Sequence, residues 1–247
     1  MKTLVLYVFH EYNERVKNFI EKAIFKDDNI DFMIICNNLY YKIENLPDYI
    51  IYINRNNLGY DFGGWSFGLL HNDFYKNYDN YICVNSSVCG PYLPPDFKGK
   101  WTDIFINGLN DYVRLFGSTI NKDFHPHVQT YIFSLNKETL EYLIKWNVFS
   151  LTNYYNTFWD TVMLKEVFMS DIIIRNKWNI GCLVPYYKNT DFVKLVENKE
   201  VENFMINGNL DSKFDIMYNE FYKIYWTETD IIFFKGNRDI DLNKKIE

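Results

Sequence analysis

The sequence predicts an α/β fold: a mostly parallel central sheet flanked by helices, in a single domain. Apolar runs at residues 3–9, 31–36, 49–53 and 81–85 alternate with helical periodicity, the pattern of a doubly wound sheet. The opening run is apolar without alternation, as a strand buried on both faces requires. Polar residues then gather at one edge. His10, Glu11, Asn37, Asn38, Asn54, Asp61 and the Asn85-Ser86-Ser87 loop all follow strand C-terminal ends, where such sheets bind ligands.

Each element has its own signal. After the first strand, Val16, Phe19, Ile20, Ala23 and Ile24 recur at helical spacing, predicting an amphipathic helix over 14–25. The second strand closes at Asn37-Asn38, and a polar loop leads to the third. Next comes Asn57-Leu58-Gly59-Tyr60-Asp61-Phe62-Gly63-Gly64-Trp65, read as a glycine-rich turn opening a helix that ends near Tyr78. Glycines there let backbone approach a ligand, and the helix N-terminus offers N–H groups to an anion. Strands are predicted over 113–118 and 128–134, and Asn136 opens a helix over 137–146. A longer helical pattern covers 157–175 and a strand 180–184. The signal weakens past residue 190, where a helix over 214–226 and a strand over 230–234 are expected. Residues 191–247 are read as an extension packed on the domain formed by 1–190.

Composition bounds the function. At 247 residues the chain can bury one large core without disulfides or structural metal. Its net charge of −6 argues against nucleic acid as a partner, which would call for a basic footprint. No apolar run is long enough to span a bilayer and no secretory signal is visible, so a cytoplasmic location (host cytoplasm for a viral protein) is expected. Cys36, Cys83, Cys89 and Cys182 are widely spaced and read as reduced residues rather than a disulfide or zinc framework. Aromatic residues reach 19%, a density that suits an AT-rich genome and a sugar site equally.

Several blocks occur together in order. They are Asn57-x-Gly59-x-Asp61-Phe62, Val84-Asn85-Ser86-Ser87-Val88-x-Gly90-Pro91 and His127-Val128-Gln129-Thr130-Tyr131-Ile132-Phe133. Glu166-Val167-x-Met169-Ser170 follows, leading to Trp178-Asn179-Ile180-Gly181-Cys182-Leu183. With these blocks the chain resembles glycosyltransferases of the rhamnan-synthesis-protein type and related GT-A enzymes of large DNA viruses, over residues 3–190. The resemblance implies a GT-A-like fold and transfer of a sugar from a UDP- or dTDP-sugar to a glycan acceptor, in surface-glycan or polysaccharide synthesis. It also implies a divalent cation, Mn²⁺ or Mg²⁺, on an acidic motif after the fourth strand. Many members carry Asn-Asp-Ser there, whereas this chain has Ser86 in place of the aspartate, leaving Asp61 and Ser87 as candidate cation ligands.

The roles follow from the same resemblance. Glu166 is the expected general base of an inverting transfer, with Asp160 as the alternative; by itself Glu166 would read as a solvated carboxylate on a helix. Donor-binding candidates are Phe9, His10, Glu11, Asn37, Asn57, Gly59, Asp61, Asn85, Ser86 and Ser87. His127 and Gln129, two apart on a strand, project to one face and are candidates for acceptor or phosphate binding. Arg114 is a candidate cation for the diphosphate or a surface ion-pair partner. Two other functions fit this fold. A sugar nucleotidyltransferase would want a glycine-rich basic loop after the first strand, where Phe9-His10-Glu11-Tyr12-Asn13 has neither glycine nor lysine. A catalytically silent glycan- or nucleotide-sugar-binding module is compatible with Ser86.

Overall fold

The first strand, β1 (Thr3–Phe9), is buried at every position and forms the middle of the sheet. The computed structural model describes residues 1–207 and 215–245. β1 pairs in parallel with β2 (Ile30–Cys36) on one side and β4 (Asn80–Asn85) on the other, and β3 (Ile50–Asn54) extends the sheet beyond β2. On the far side of β4 lie β9 (Ile132–Asn136), β6 (Val113–Gly117) and β10 (Asn179–Cys182). The order across the seven strands is β10-β6-β9-β4-β1-β2-β3, and β9 alone runs antiparallel to its neighbours. The chain is therefore a mixed α/β domain with a mostly parallel sheet, as its alternating pattern predicts.

Both faces of the sheet are covered because β1 is apolar on both. Tyr7 points to one face and stacks on Phe19 of helix α1 (Glu14–Ala23), with ring centroids 4.0 Å apart. Asn13 caps α1 by accepting from the Arg15 and Val16 amides, and the helix stops at Ala23, short of the predicted Phe25. Helix α3 (Trp101–Asn107), which no periodicity announced, joins α1 on that face through the Trp101 indole N–H bonded to the Ala23 carbonyl (2.7 Å).

The other face carries helix α2 (Tyr60–Leu70), and here the local prediction changes. Gly59 takes a left-handed φ of 71° as the N-cap, so Asp61, Gly63 and Gly64 lie within the helix rather than in a turn. A β-carbon on Gly64 would meet Val8 Cγ1 at 2.8 Å, and one on Gly68 would meet Ile35, Met33 and Leu6 within 2.9 Å. Four residues apart, these glycines give α2 a bare face that lies directly on β1 and β2. A 3₁₀ segment (His71–Asn77) completes the run towards Tyr78.

Helix α4 (Lys137–Lys145), capped by Asn136, lies beyond β9. The predicted long helix is three pieces: α5 (Phe158–Thr161), a π-helical turn (Val162–Val167) and α6 (Phe168–Arg175). The predicted strand over 128–134 is also divided. β8 (Pro126–Val128) pairs with β7 (Ile120–Lys122), and β9 starts only at Ile132. Phe214, where the last helix was expected to begin, lies outside the described residues, and 215–226 form turns. In place of the strand over 230–234, a helical turn (Glu228–Ile231) precedes β11 (Phe234–Lys235), which pairs antiparallel with β5 (Val88–Cys89).

Replacing Gly64 by alanine separates packing from helix propensity, which by itself favours alanine by about 1 kcal/mol. Because the new methyl would press on both Val8 methyls, urea denaturation of Gly64→Ala should show a net loss of about 1–3 kcal/mol. Equal or greater stability would mean that α2 is not held by close contact.

Candidate active site

A cavity of about 590 Å³ opens at the C-terminal end of β4. Its lining comes from four parts of the chain: the start of α2, the loop after β4, the β7–β9 region and the helical segment 158–166. Asp215, Tyr218, Lys235, Asn237 and Arg238 close it from the C-terminal side.

Asp61 reaches this cavity because α2 lies flat on the sheet. The helix start is pinned by Arg55, a buried side chain that donates to Asn37 Oδ1 (2.6 Å) and the Leu58 carbonyl (2.8 Å). Asn37 in turn donates to the Tyr60 carbonyl (3.0 Å), and burial lowers the Arg55 pKa. One turn on, the Trp65 indole N–H bonds to the Val84 carbonyl (3.2 Å), joining α2 to the end of β4. Asp61 therefore meets Asn85, whose amide donates to Asp61 Oδ2 (2.8 Å). Burial pushes the Asp61 carboxyl up to about 6; the Glu166 charge adds to the rise, while Asn85 and Lys235 oppose it.

Glu166 comes from the π-helical turn, a distortion often found at functional positions. Its Oε2 accepts from the Thr130 amide (3.2 Å) and from the Thr130 hydroxyl. Its Oε1 faces Nε2 of the buried His127 at 3.5 Å. Since His127 Nδ1 lies 3.0 Å from the His125 carbonyl, which can only accept, Nδ1 carries a proton and Nε2 is the nitrogen facing the carboxylate. The neighbouring Lys165 turns inward, to the Asn147 carbonyl, and burial lowers its pKa to about 8.

The structure gathers Asp61, Asn85, Ser86, Ser87, His127, Gln129 and Glu166 around one cavity. Other candidates lie elsewhere. The Phe9 side chain is wholly within the core. His10, Glu11 and Asn57 are exposed outside the cavity wall, with His10 Nδ1 against the Asn37 carbonyl (2.8 Å). Asn37 and Gly59 shape the start of α2 from behind. Asp160 closes a hydrogen-bond loop with Thr157 at the cap of α5 and does not line the cavity. Arg114 pairs with Glu138 (2.9 Å) and stacks over Trp178, on the far strands. Gln129 is buried, accepting from the Thr119 hydroxyl (2.7 Å).

The oxygens around Asp61 do not make a cation site. Asp61 Oδ2 accepts the Asn85 amide, and Asn85 Oδ1 accepts both the amide and the hydroxyl of Ser87. Asn85 and Ser87 are thus paired to each other and to Asp61, and Glu166, the other carboxylate nearby, accepts from Thr130, whereas Mg²⁺ and Mn²⁺ favour sets rich in free oxygen ligands. Among the described residues no group of three or more His, Cys, Asp or Glu side chains is placed to hold a metal.

Sequence patterning missed Thr130, the C-terminal residues Asp215, Lys235 and Arg238, and the aromatic pair Phe158 and Trp159. Thr130 sits inside the His127–Phe133 block, and an exposed Phe-Trp in a helix's first turn breaks the amphipathic rule, so both had a signal. Asp215 and its neighbours had none.

Asp61 is held at a cost to stability. Its folded pKa exceeds the unfolded value near 3.9, so the cost is absent below about pH 4 and grows as pH rises through about 6. Asp61→Asn should therefore stabilise the fold by about 2–3 kcal/mol at pH 7, with the difference fading towards pH 4 in paired urea melts. A constant difference across that range would show that Asp61 ionises normally.

No family model and no curated protein matches the chain. Among solved structures it is distantly similar to a glycosyltransferase involved in the glycosylation of the major capsid of PBCV-1. The two are 16% identical over 73% of this chain and 80% of that one, with a TM-score of 0.38. Among the described residues no helix is long and apolar enough to cross a membrane.

Proposed function

We propose that the chain is a glycosyltransferase of the rhamnan-synthesis type its sequence blocks resemble, moving a sugar from a UDP- or dTDP-sugar to a glycan hydroxyl in surface-glycan or polysaccharide assembly. One observation carries the reading: Glu166, bound by Thr130 and facing His127, shares a cavity with the Asp61–Asn85 pair at the C-terminal end of the parallel strand β4. In this reading Glu166 accepts the acceptor hydroxyl's proton as that oxygen bonds to the anomeric carbon. The bond from that carbon to the diphosphate breaks, and its electron pair leaves with the phosphate, inverting the centre. Thr130 fixes the carboxylate, so it enters the reaction already oriented.

Phe158 and Trp159, 68% and 57% exposed at the cavity edge, supply the acceptor side. Large aromatic faces left in solvent beside a polar cavity suit the apolar face of a pyranose ring. The alternative of a catalytically silent glycan-binding module keeps one supporting observation, the lack of a carboxylate in the Asn85-Ser86-Ser87 loop.

Incubating the protein with UDP- and dTDP-sugars should release nucleoside diphosphate by transfer or slow hydrolysis. Glu166→Gln should lower that rate about 10²- to 10⁴-fold while leaving nucleotide binding intact. Binding of glycan without turnover of any donor would favour the silent module.

A further inference from the structure

The C-terminal strand brings a cation to the place where the resemblance implies a metal. In β11, Lys235 pairs in register with Val88, and the Gly236 amide donates to the Ser87 carbonyl (2.7 Å). The Lys235 ammonium thus lies beside the Ser86-Ser87 loop, half-buried in the cavity wall, near enough to Asp61 to lower its pKa. Every other strongly placed charge in this part of the cavity has a partner. Arg238 pairs with Asp215 (3.2 Å), and Glu166 is held by Thr130. Among the described residues the Lys235 ammonium makes no hydrogen bond and no ion pair within 4 Å, its backbone alone being paired with β5.

A second cation supports the same loop from beneath. Arg15, on α1, donates from Nε to the Ser86 carbonyl (3.1 Å). The loop after β4 is therefore flanked by positive groups, and its oxygens already accept from Arg15, Gly236 and Ser87. Such surroundings repel a divalent cation and attract an anion.

Resting on the transferase reading above, we infer that the donor's diphosphate is bound by Lys235, with Arg238 beside it, in place of a divalent metal. Lys235 supplies the positive charge that balances the leaving group as its bond to the sugar breaks. Arg238, already aligned by Asp215, extends the same cationic wall. The C-terminal segment is then part of the donor site, and Ser86 marks a replacement of the cation rather than a loss of donor binding.

The test is calorimetric titration of the full chain with inorganic pyrophosphate, UDP and dTDP, each in EDTA and again in Mn²⁺. Binding of a diphosphate in EDTA is expected, with less than a threefold change on adding Mn²⁺. Lys235→Gln should weaken it about tenfold or more, and Lys235→Arg should restore most of it. Thermal melts of both variants check that the fold is retained. Binding that needs Mn²⁺ and ignores Lys235→Gln would overturn the cationic site while leaving the transferase reading in place. If no diphosphate binds the folded protein under either condition, both fall together.

Discussion

The contact between α2 and the first two strands sets the position of the polar groups in the cavity. Gly64 and Gly68 let the helix axis approach Leu6, Val8, Met33 and Ile35 more closely than any side chain would permit. That approach fixes where the first turn of α2 ends, and Asp61 lies in that turn. The Arg55–Asn37 contact and the Trp65–Val84 hydrogen bond then hold the helix at its start and one turn on, so Asp61 and Asn85 meet at hydrogen-bond distance. Packing at this density leaves little room for adjustment. A shift of α2 would move the carboxylate relative to β4 and open the pair.

The cavity holds its charges at some expense. Asp61 is half-buried in the cavity wall, and its raised pKa reflects the cost of ionising it there, with the Glu166 charge adding to it. Glu166 is held by two donors from Thr130. The two carboxylates therefore occupy different environments within one cavity, one poorly solvated and one well supported.

The C-terminal segment closes the cavity and is tied into the core. Tyr131 donates to the Phe233 carbonyl (3.2 Å), and Ser118 to the Ile231 carbonyl (2.9 Å), both from buried positions. Trp226 is buried and bonded to the Ile216 carbonyl (2.8 Å). These bonds satisfy side-chain groups that would otherwise be costly in the interior, and they place Lys235 and Arg238 at the rim. Strand pairing with Val88–Cys89 adds the last constraint, setting the register of Lys235 against the loop after β4.

The sequence by itself determined the parallel core. Continuous apolar runs at 3–9 and 81–85 admit few environments other than a strand covered on both faces, and of the polar residues after strand ends only Asp61 and Asn85-Ser86-Ser87 line the cavity. It also marked Asp61, Asn85, His127 and Glu166, because each stands within an ordered block. Tertiary structure decided the rest. Whether Asp61 lies in a turn or a helix depends on the sheet surface beneath Gly64, which no local window contains. Arg114 and Asp160 carry suitable charge, yet Glu138 and Thr157 claim them elsewhere, and residue type says nothing about such partners. Lys235 reaches the cavity through pairing with Val88, 147 positions earlier in the chain. Contacts between segments so far apart arise from closing long loops on a finished core, and local periodicity carries no record of them.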